Sequence, residues 1–199
     1  MKKTLVMLAL LVAPLAMSAQ QFAHFSLSDV MQALPDWRNA ATELTAIGQQ
    51  YSNDLQAMRE EIQTKIEKYQ KEVNEQTPPQ IRERKEQEIV QLRERYEQAQ
   101  EDNATAYQQQ QAQKMEPIQK KILDAVNTVA RTGNYVYIVD KSAAQQNNMI
   151  INEALSADVT NKIMEALGIT PEDIAAGKAF VAKMQQEAQQ QSPQQPATR

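Results

Sequence analysis

The 199-residue sequence has no cysteine, one histidine, one tryptophan, four glycines and eight prolines. Without cysteine there can be no disulfide scaffold, no thiol nucleophile and no thiolate zinc site. So little glycine and proline, about half the usual share, leaves too few tight turns for a β-sandwich, a barrel or a Rossmann-type fold. Aromatic residues make up 5% and mean hydropathy is −0.61, which makes a single compact core of ordinary density hard to assemble. The lone His24 has no second histidine to complete a metal site, and a single histidine in a strand is more often structural than catalytic. No Walker loop, GxGxxG, GxSxG or HExxH pattern occurs. These absences argue against an enzyme and imply no cofactor. What is present is a 42% apolar fraction, mostly residues that helices favour or tolerate. The composition predicts an elongated, mainly helical protein.

Residues 1–19 read as an export signal. Met1-Lys2-Lys3 is followed by an apolar run from Thr4 to Ala13 and by small residues around Ala16, Ser18 and Ala19. Roughly ten to thirteen apolar residues are too few to span about 30 Å of hydrocarbon. Cleavage after Ser18 or Ala19 would take the net charge from −4 to −6, because Lys2 and Lys3 leave.

Gln21 to Leu27 is short, aromatic and bounded by polar residues, as a strand is. Ser28 is placed to cap a short helix from Asp29 to Leu34, which Pro35 ends. From Asp36 to about Gln76 the apolar positions Leu44, Ile47, Tyr51, Leu55, Met58, Ile62, Ile66, Tyr69 and Val73 are spaced 3-4-4-3-4-4-3-4. That 11-residue repeat keeps an apolar stripe nearly straight along one long helix. Thr77-Pro78-Pro79-Gln80 breaks the helix and suits an N-cap, a first helical position and a capping-box partner for the next.

The second helix is expected to run to about Ala130. Its stripe begins Ile81, Lys85, Ile89, Leu92 and Tyr96, and lapses through Gln100, Asn103, Tyr107 and Gln111. Met115, Ile118, Ile122, Val126 and Val129 restore it. Two helices joined by so short a turn fold back antiparallel, each about 60 Å long at 1.5 Å per residue. Pro117 removes one hydrogen bond inside the second leg and marks a bend or hinge near Lys114–Glu116.

Beyond Gly133-Asn134, Tyr135 to Asp140 is apolar on both faces and reads as a strand buried on both sides. Met149 to Asn152 reads as a second short strand, Asp158 to Leu167 as a helix stopped by Gly168, and Thr170 onward as a capped helix to about Glu187. Residues 188–199, rich in Gln and Pro, have too little apolar surface to fold.

The carboxylates Glu60, Glu61, Glu83 and Glu86 alternate with Arg59, Arg82, Arg84 and Lys85, as on a solvated helix face with local ion pairs. No basic run tracks a phosphate backbone, so nucleic acid is not an expected partner. Near the turn, Lys65, Lys68, Lys71, Arg82, Arg84 and Lys85 are nearly cancelled by intervening glutamates. That balance leaves room only for a weak contact with a membrane surface.

The order of elements and several local stretches resemble the Skp/OmpH family of periplasmic chaperones. Pro117-Ile-Gln-Lys-Lys-Ile-Leu-Asp-Ala-Val-Asn-Thr-Val-Ala130 leads into Asn134-Tyr-Val-Tyr-Ile-Val-Asp140-Lys-Ser-Ala143, and Ala157-Asp-Val-Thr160 follows. These are similar to the end of the family's second leg, its V-V-D strand and its D-I-T segment. Phe22-Ala-His-Phe-Ser resembles its first strand, and the likeness covers roughly Gln21 to Gly168.

The resemblance implies a mainly α fold with a small β body, in which a long antiparallel coiled-coil hairpin stands on a strand-built trimerisation body. Residues 20–35 and 131–168 would form the body, 36–130 the hairpin with its turn near 77–80, and 169–187 an extra helix before the tail. Phe22, Phe25, Tyr135, Val136, Tyr137, Ile138 and Val139 would lie in the shared body of a homotrimer. The hairpin seam would be Leu44, Ile47, Tyr51, Leu55, Met58, Ile62, Ile66, Tyr69, Val73, Ile89, Leu92, Tyr96, Ile118 and Ile122.

The implied activity is an ATP-independent periplasmic holdase that cages unfolded outer-membrane proteins. Trp37, Ala41, Met115 and Leu123, off or beside the seam near its root, are candidates either to touch the client or to pack leg against leg or against the body. A coiled-coil adaptor or spacer of the cell envelope is the alternative. The better-known members are basic whereas the mature chain is at −6, so steering of acidic clients does not carry over.

Overall fold

The computed structural model describes residues 21–191. The expected signal segment, and residues 192–199 of the expected tail, lie outside them. In chain order the elements are β1 (Gln21–Phe25), α1 (Leu27–Ala33), α2 (Pro35–Glu72), α3 (Pro79–Thr132), β2 (Tyr135–Asp140), α4 (Lys141–Gln146), β3 (Ser156–Asp158), α5 (Thr160–Ala166) and α6 (Pro171–Gln191). The chain forms two units, one of Pro35–Lys120 and one of the residues on either side of that segment.

In the unit that contains the termini, three parallel strands lie in the order β2-β1-β3. Phe22 is opposite Tyr137 and Ser156, and His24 is opposite Val139 and Asp158. Ala23, His24 and Phe25 are all buried, so the central strand β1 is covered on both faces at its end. That corrects the expectation for Tyr135–Asp140: β2 is an edge strand, with Val136 46% and Tyr137 64% exposed. An apolar sequence shows that a strand can be buried, but its neighbours decide whether it is. Val30, Leu34, Val159 and Ile163 are the fully buried large side chains of this unit.

Local capping explains the short helices. Ser26, not Ser28, caps α1, its hydroxyl accepting from the Asp29 N–H at 3.2 Å, while Ser28 accepts from Gln32 instead. Asp140 caps α4 through the Ala143 N–H at 2.9 Å, a helix not foreseen from the sequence. The expected strand at Met149–Asn152 is absent. Ile150 there is 97% exposed, and β1's second edge is taken by Ser156–Asp158. Asp158 therefore ends a strand, and α5 begins only at Thr160.

Gly168 (φ +72) stops α5, with the Gly168 and Ile169 N–H groups bonded to the Glu165 and Met164 carbonyls at 2.9 Å. Thr170 and Asp173 exchange capping hydrogen bonds around Pro171. From there α6 continues to Gln191, taking in residues 188–191 that were expected to be unfolded.

The other unit consists of α2 and most of α3. α2 starts at Pro35 and ends at Glu72, earlier than the apolar stripe suggested. Asn74 organises the turn: its side chain accepts from the Gln76 N–H, and its carbonyl accepts from Thr77 and Arg82. The Thr77 hydroxyl accepts from the Asn74 N–H at 2.9 Å rather than capping α3. Pro78 is the cap residue, its carbonyl receiving Ile81 and Arg82, and Pro79 takes the first helical position. α3 runs through Pro117 without interruption. Past its end, the left-handed residue is Asn134 (φ 51) and not Gly133. Gly133 serves by its smallness, since a Cβ there would lie 2.1 Å from the Tyr135 ring.

Candidate functional site

Side-chain contacts between α2 and α3 set one register. Glu43 meets Lys114, Gly48 meets Tyr107, Arg59 meets Tyr96, Lys65 meets Glu88, Tyr69 meets Glu86 and Glu72 meets Lys85. Every pair straddles the Thr77–Pro78 junction to within one residue. The helices therefore run in opposite directions without a slip.

Along the expected seam, Leu44, Ile118 and Ile122 are buried. Ile47, Tyr51, Leu55, Met58, Ile62, Ile66, Tyr69, Val73, Ile89, Leu92 and Tyr96 are half-buried. Ile81, read as the start of the second stripe, is exposed, and Arg82 takes the inner position. In the polar lapse the inner residues are Ala99, Asn103, Ala106, Tyr107 and Gln110, whereas Gln100 and Gln111 face solvent. From Leu92 to Gln110 the spacing is 4-3-4-3-4, a seven-residue repeat. Extrapolating the 11-residue spacing of α2 put the stripe one residue out here.

On either side of the α2–α3 turn, several charges are paired. Lys65 pairs with Glu88 at 3.1 Å, and Lys85 and Lys68 both pair with Glu72. Hydrogen bonds from Lys85 and Lys65 hold the Glu72 and Glu88 carboxyls below their ordinary values. The Tyr69 phenol, bonded to Glu86, is held above its own. Lys71, Arg82 and Arg84, the other basic residues near the turn, make no ion pair among the described residues.

Of the residues expected to meet a client, Leu123 is 58% exposed, and Trp37 and Met115 are half-buried. Ala41 is buried, at 8% exposure, and is not accessible from the surface. Of those expected in a shared body, Phe25 is buried, and Tyr135, Ile138 and Val139 are half-buried. Phe22 and Tyr137 stack at 6.2 Å between ring centroids with 47% and 64% of their surfaces open. Met149, Ile150 and Leu155, between α4 and β3, are exposed as well. The sequence places Met149 and Ile150 in an expected strand, which hides their exposure, and gives no reading of Leu155. The only signal is the apolar run Met149–Ile151 flanked by Asn148 and Asn152.

A polar network ties the strands together. His24, 2% exposed, has Nδ1 2.8 Å from Ser156 Oγ and Nε2 3.7 Å from Asp158 Oδ2. Burial pushes the Asp158 carboxyl up. The Thr160 hydroxyl and N–H outweigh that together with the Lys141 ammonium, and bring it to about 2. The Thr160 hydroxyl also accepts from the Ser26 N–H, and Asp140 accepts from the Leu27 N–H. Asp140 and Thr160 thus anchor the β1–α1 connection, which explains two residues of the late-strand motif. Both ring nitrogens of the buried His24 face β3, which makes the trio a cross-strand tie. Among the described residues no His, Asp or Glu cluster could hold a metal ion, and no helix is long and apolar enough to cross a membrane.

The family model described as "Outer membrane protein (OmpH-like)" matches residues 21–167. No curated protein matches the chain. The match takes in both long helices and the sheet, and stops short of α6.

Proposed function

Because the chain belongs to the OmpH-like family of periplasmic chaperones for outer-membrane proteins, we propose that it is an ATP-independent holdase that cages unfolded outer-membrane proteins and blocks their aggregation. The observation that carries this reading is the unbroken register of α2 against α3 from Glu43–Lys114 to Glu72–Lys85. A long helical hairpin with a narrow, half-buried seam offers extended side walls and little interior of its own. It holds a client by many weak contacts, which need no nucleotide. Leu123, Met115 and Trp37 supply apolar contacts, and Pro117 gives the arm a place to bend.

In this reading the chain is exported to the periplasm, residues 1–19 are removed, and residues 20–35 with 131–168 form a trimerisation body. The exposed Phe22, Val136, Tyr137, Met149, Ile150 and Leu155, beside two open strand edges, support assembly, because one copy alone leaves this surface uncovered. Dissociation and unfolding are then coupled.

The test is to dilute an unfolded outer-membrane β-barrel from urea into the purified protein without nucleotide. Suppression of light scattering near one trimer per client is the expected result. No suppression, together with capture of one defined envelope partner, would identify an adaptor instead.

A further inference from the structure

We propose that the cleft between α1, α5 and α6 binds a small zwitterion with an apolar side chain, either an α-amino acid or a short peptide. The cleft measures about 450 Å³, within the usual size range of small-ligand sites. It owes its third wall to α6, which lies beyond the residues matched by the family model. Gly177 sets that wall: a Cβ there would lie 2.2 Å from the Gln32 carbonyl oxygen, so α6 sits directly on the backbone of α1.

The lining divides into groups bonded within the protein and groups open to solvent. Asp158 and Thr160 are already bonded to each other, and Asp158 also pairs with Lys141, so they form a fixed wall. The Asp29 carboxylate, the Asn161 amide and the Lys178 ammonium are exposed and make no direct hydrogen bond or ion pair with other described residues, although Asp29 lies within the electrostatic reach of Lys141. They present one anion, one cation and one group that both donates and accepts. Ala33, Met164 and Ile174 supply apolar wall beside them.

A ligand that carries an ammonium and a carboxylate meets both charges at once, with charge-assisted bonds to Asp29 and Lys178. A simple anion or a simple cation meets only one. An apolar side chain on the same ligand covers Met164 and Ile174. The cleft is lined by residues of a single copy.

The experiment is calorimetric titration of the full exported chain with L-leucine, dileucine, 4-methylpentanoate (no ammonium) and 3-methylbutylamine (no carboxylate). Saturable binding of leucine or dileucine is expected, with each one-charge analogue weaker by about tenfold or more. Lys178→Gln should weaken the zwitterion by about tenfold and leave 3-methylbutylamine unchanged, and Asp29→Asn should do the same with 4-methylpentanoate as the unchanged ligand. Both side chains are exposed, so neither variant threatens folding. Tighter binding of dileucine assigns a peptide, and tighter binding of leucine a free amino acid. Absence of saturable binding by every probe, or one-charge analogues as tight as leucine, would overturn the proposal.

Discussion

Gly48 on α2 lies under the ring of Tyr107 on α3, and a Cβ built at position 48 would stand 3.5 Å from Tyr107 Cε2. That is ordinary van der Waals contact, so an alanine fits without moving the ring. Glycine inside a helix costs about 1 kcal/mol relative to alanine. Gly48→Ala should therefore stabilise the helix pair by about that amount, seen as a higher urea midpoint at unchanged slope. Destabilisation would mean that the ring sits closer to α2 than this contact allows.

Gly177 makes the opposite case. Its missing side chain admits the Gln32 backbone, which cannot rotate away as a side-chain tip can. Gly177→Ala should force α6 off α1 and cost about 1–3 kcal/mol, despite the better helix propensity of alanine. Faster amide exchange along α6, with α2 unaffected, is the expected signature.

The acid response of the strand unit follows from Asp158. Its carboxyl stands at about 2 in the folded chain against an ordinary 3.8, because Thr160 and Lys141 outweigh the cost of burial. A lowered acid contributes stability that is complete above its unfolded value and is lost as pH falls from there through the folded one. Asp158→Asn should be less stable than the parent at neutral pH. The difference should shrink as pH drops from about 4 to about 2 and vanish below. Denaturant melts at several pH values, read on the intact chain, check the direction.

Much of the fold was legible because its signals are local. The 11-residue stripe of α2, the double proline, Gly168 after α5 and the Thr170–Asp173 box depend on residues within a few positions of one another. What was missed depends on distant neighbours. Tyr137 is exposed because β2 is an edge, which its sequence does not record. Met149–Asn152 has strand-like residues, but both edges of β1 are taken. Ala41 is buried rather than open to a client, and a small apolar residue beside a seam looks the same in sequence either way. The contacts of His24 with Ser156 and Asp158 span more than 130 residues, beyond any spacing argument.

The polar stretch of α3 predicts uneven dynamics. Between Ala99 and Gln110 the inner positions hold alanine, asparagine, tyrosine and glutamine, whereas Ile118, Ile122, Ala125 and Val129 are buried. Fewer apolar contacts lower the free energy of local opening. Amides from 99 to 110 should exchange faster than those from 118 to 129 under native conditions. Equal protection would show that the seam is held there by something other than apolar burial.

The stacked pair Phe22 and Tyr137 tests assembly most directly. The rings lie nearly parallel, 6° apart, on neighbouring strands, and both remain largely open to solvent in one copy. Exposed aromatic pairs at an edge strand are the residues expected to anchor a partner, each costing about 2 kcal/mol or more when removed from a packed interface. Tyr137→Ser removes apolar surface without touching the buried residues Phe25 and Ala23, so the single copy should keep its helical signal. If copies join through this face, the parent should show a trimer mass by light scattering and a Tm that rises with protein concentration. The variant should shift toward monomer and lose that dependence. The same trimer mass and the same concentration-dependent melting in both proteins would place the contact elsewhere, and a monomer mass with concentration-independent melting in the parent would reject assembly.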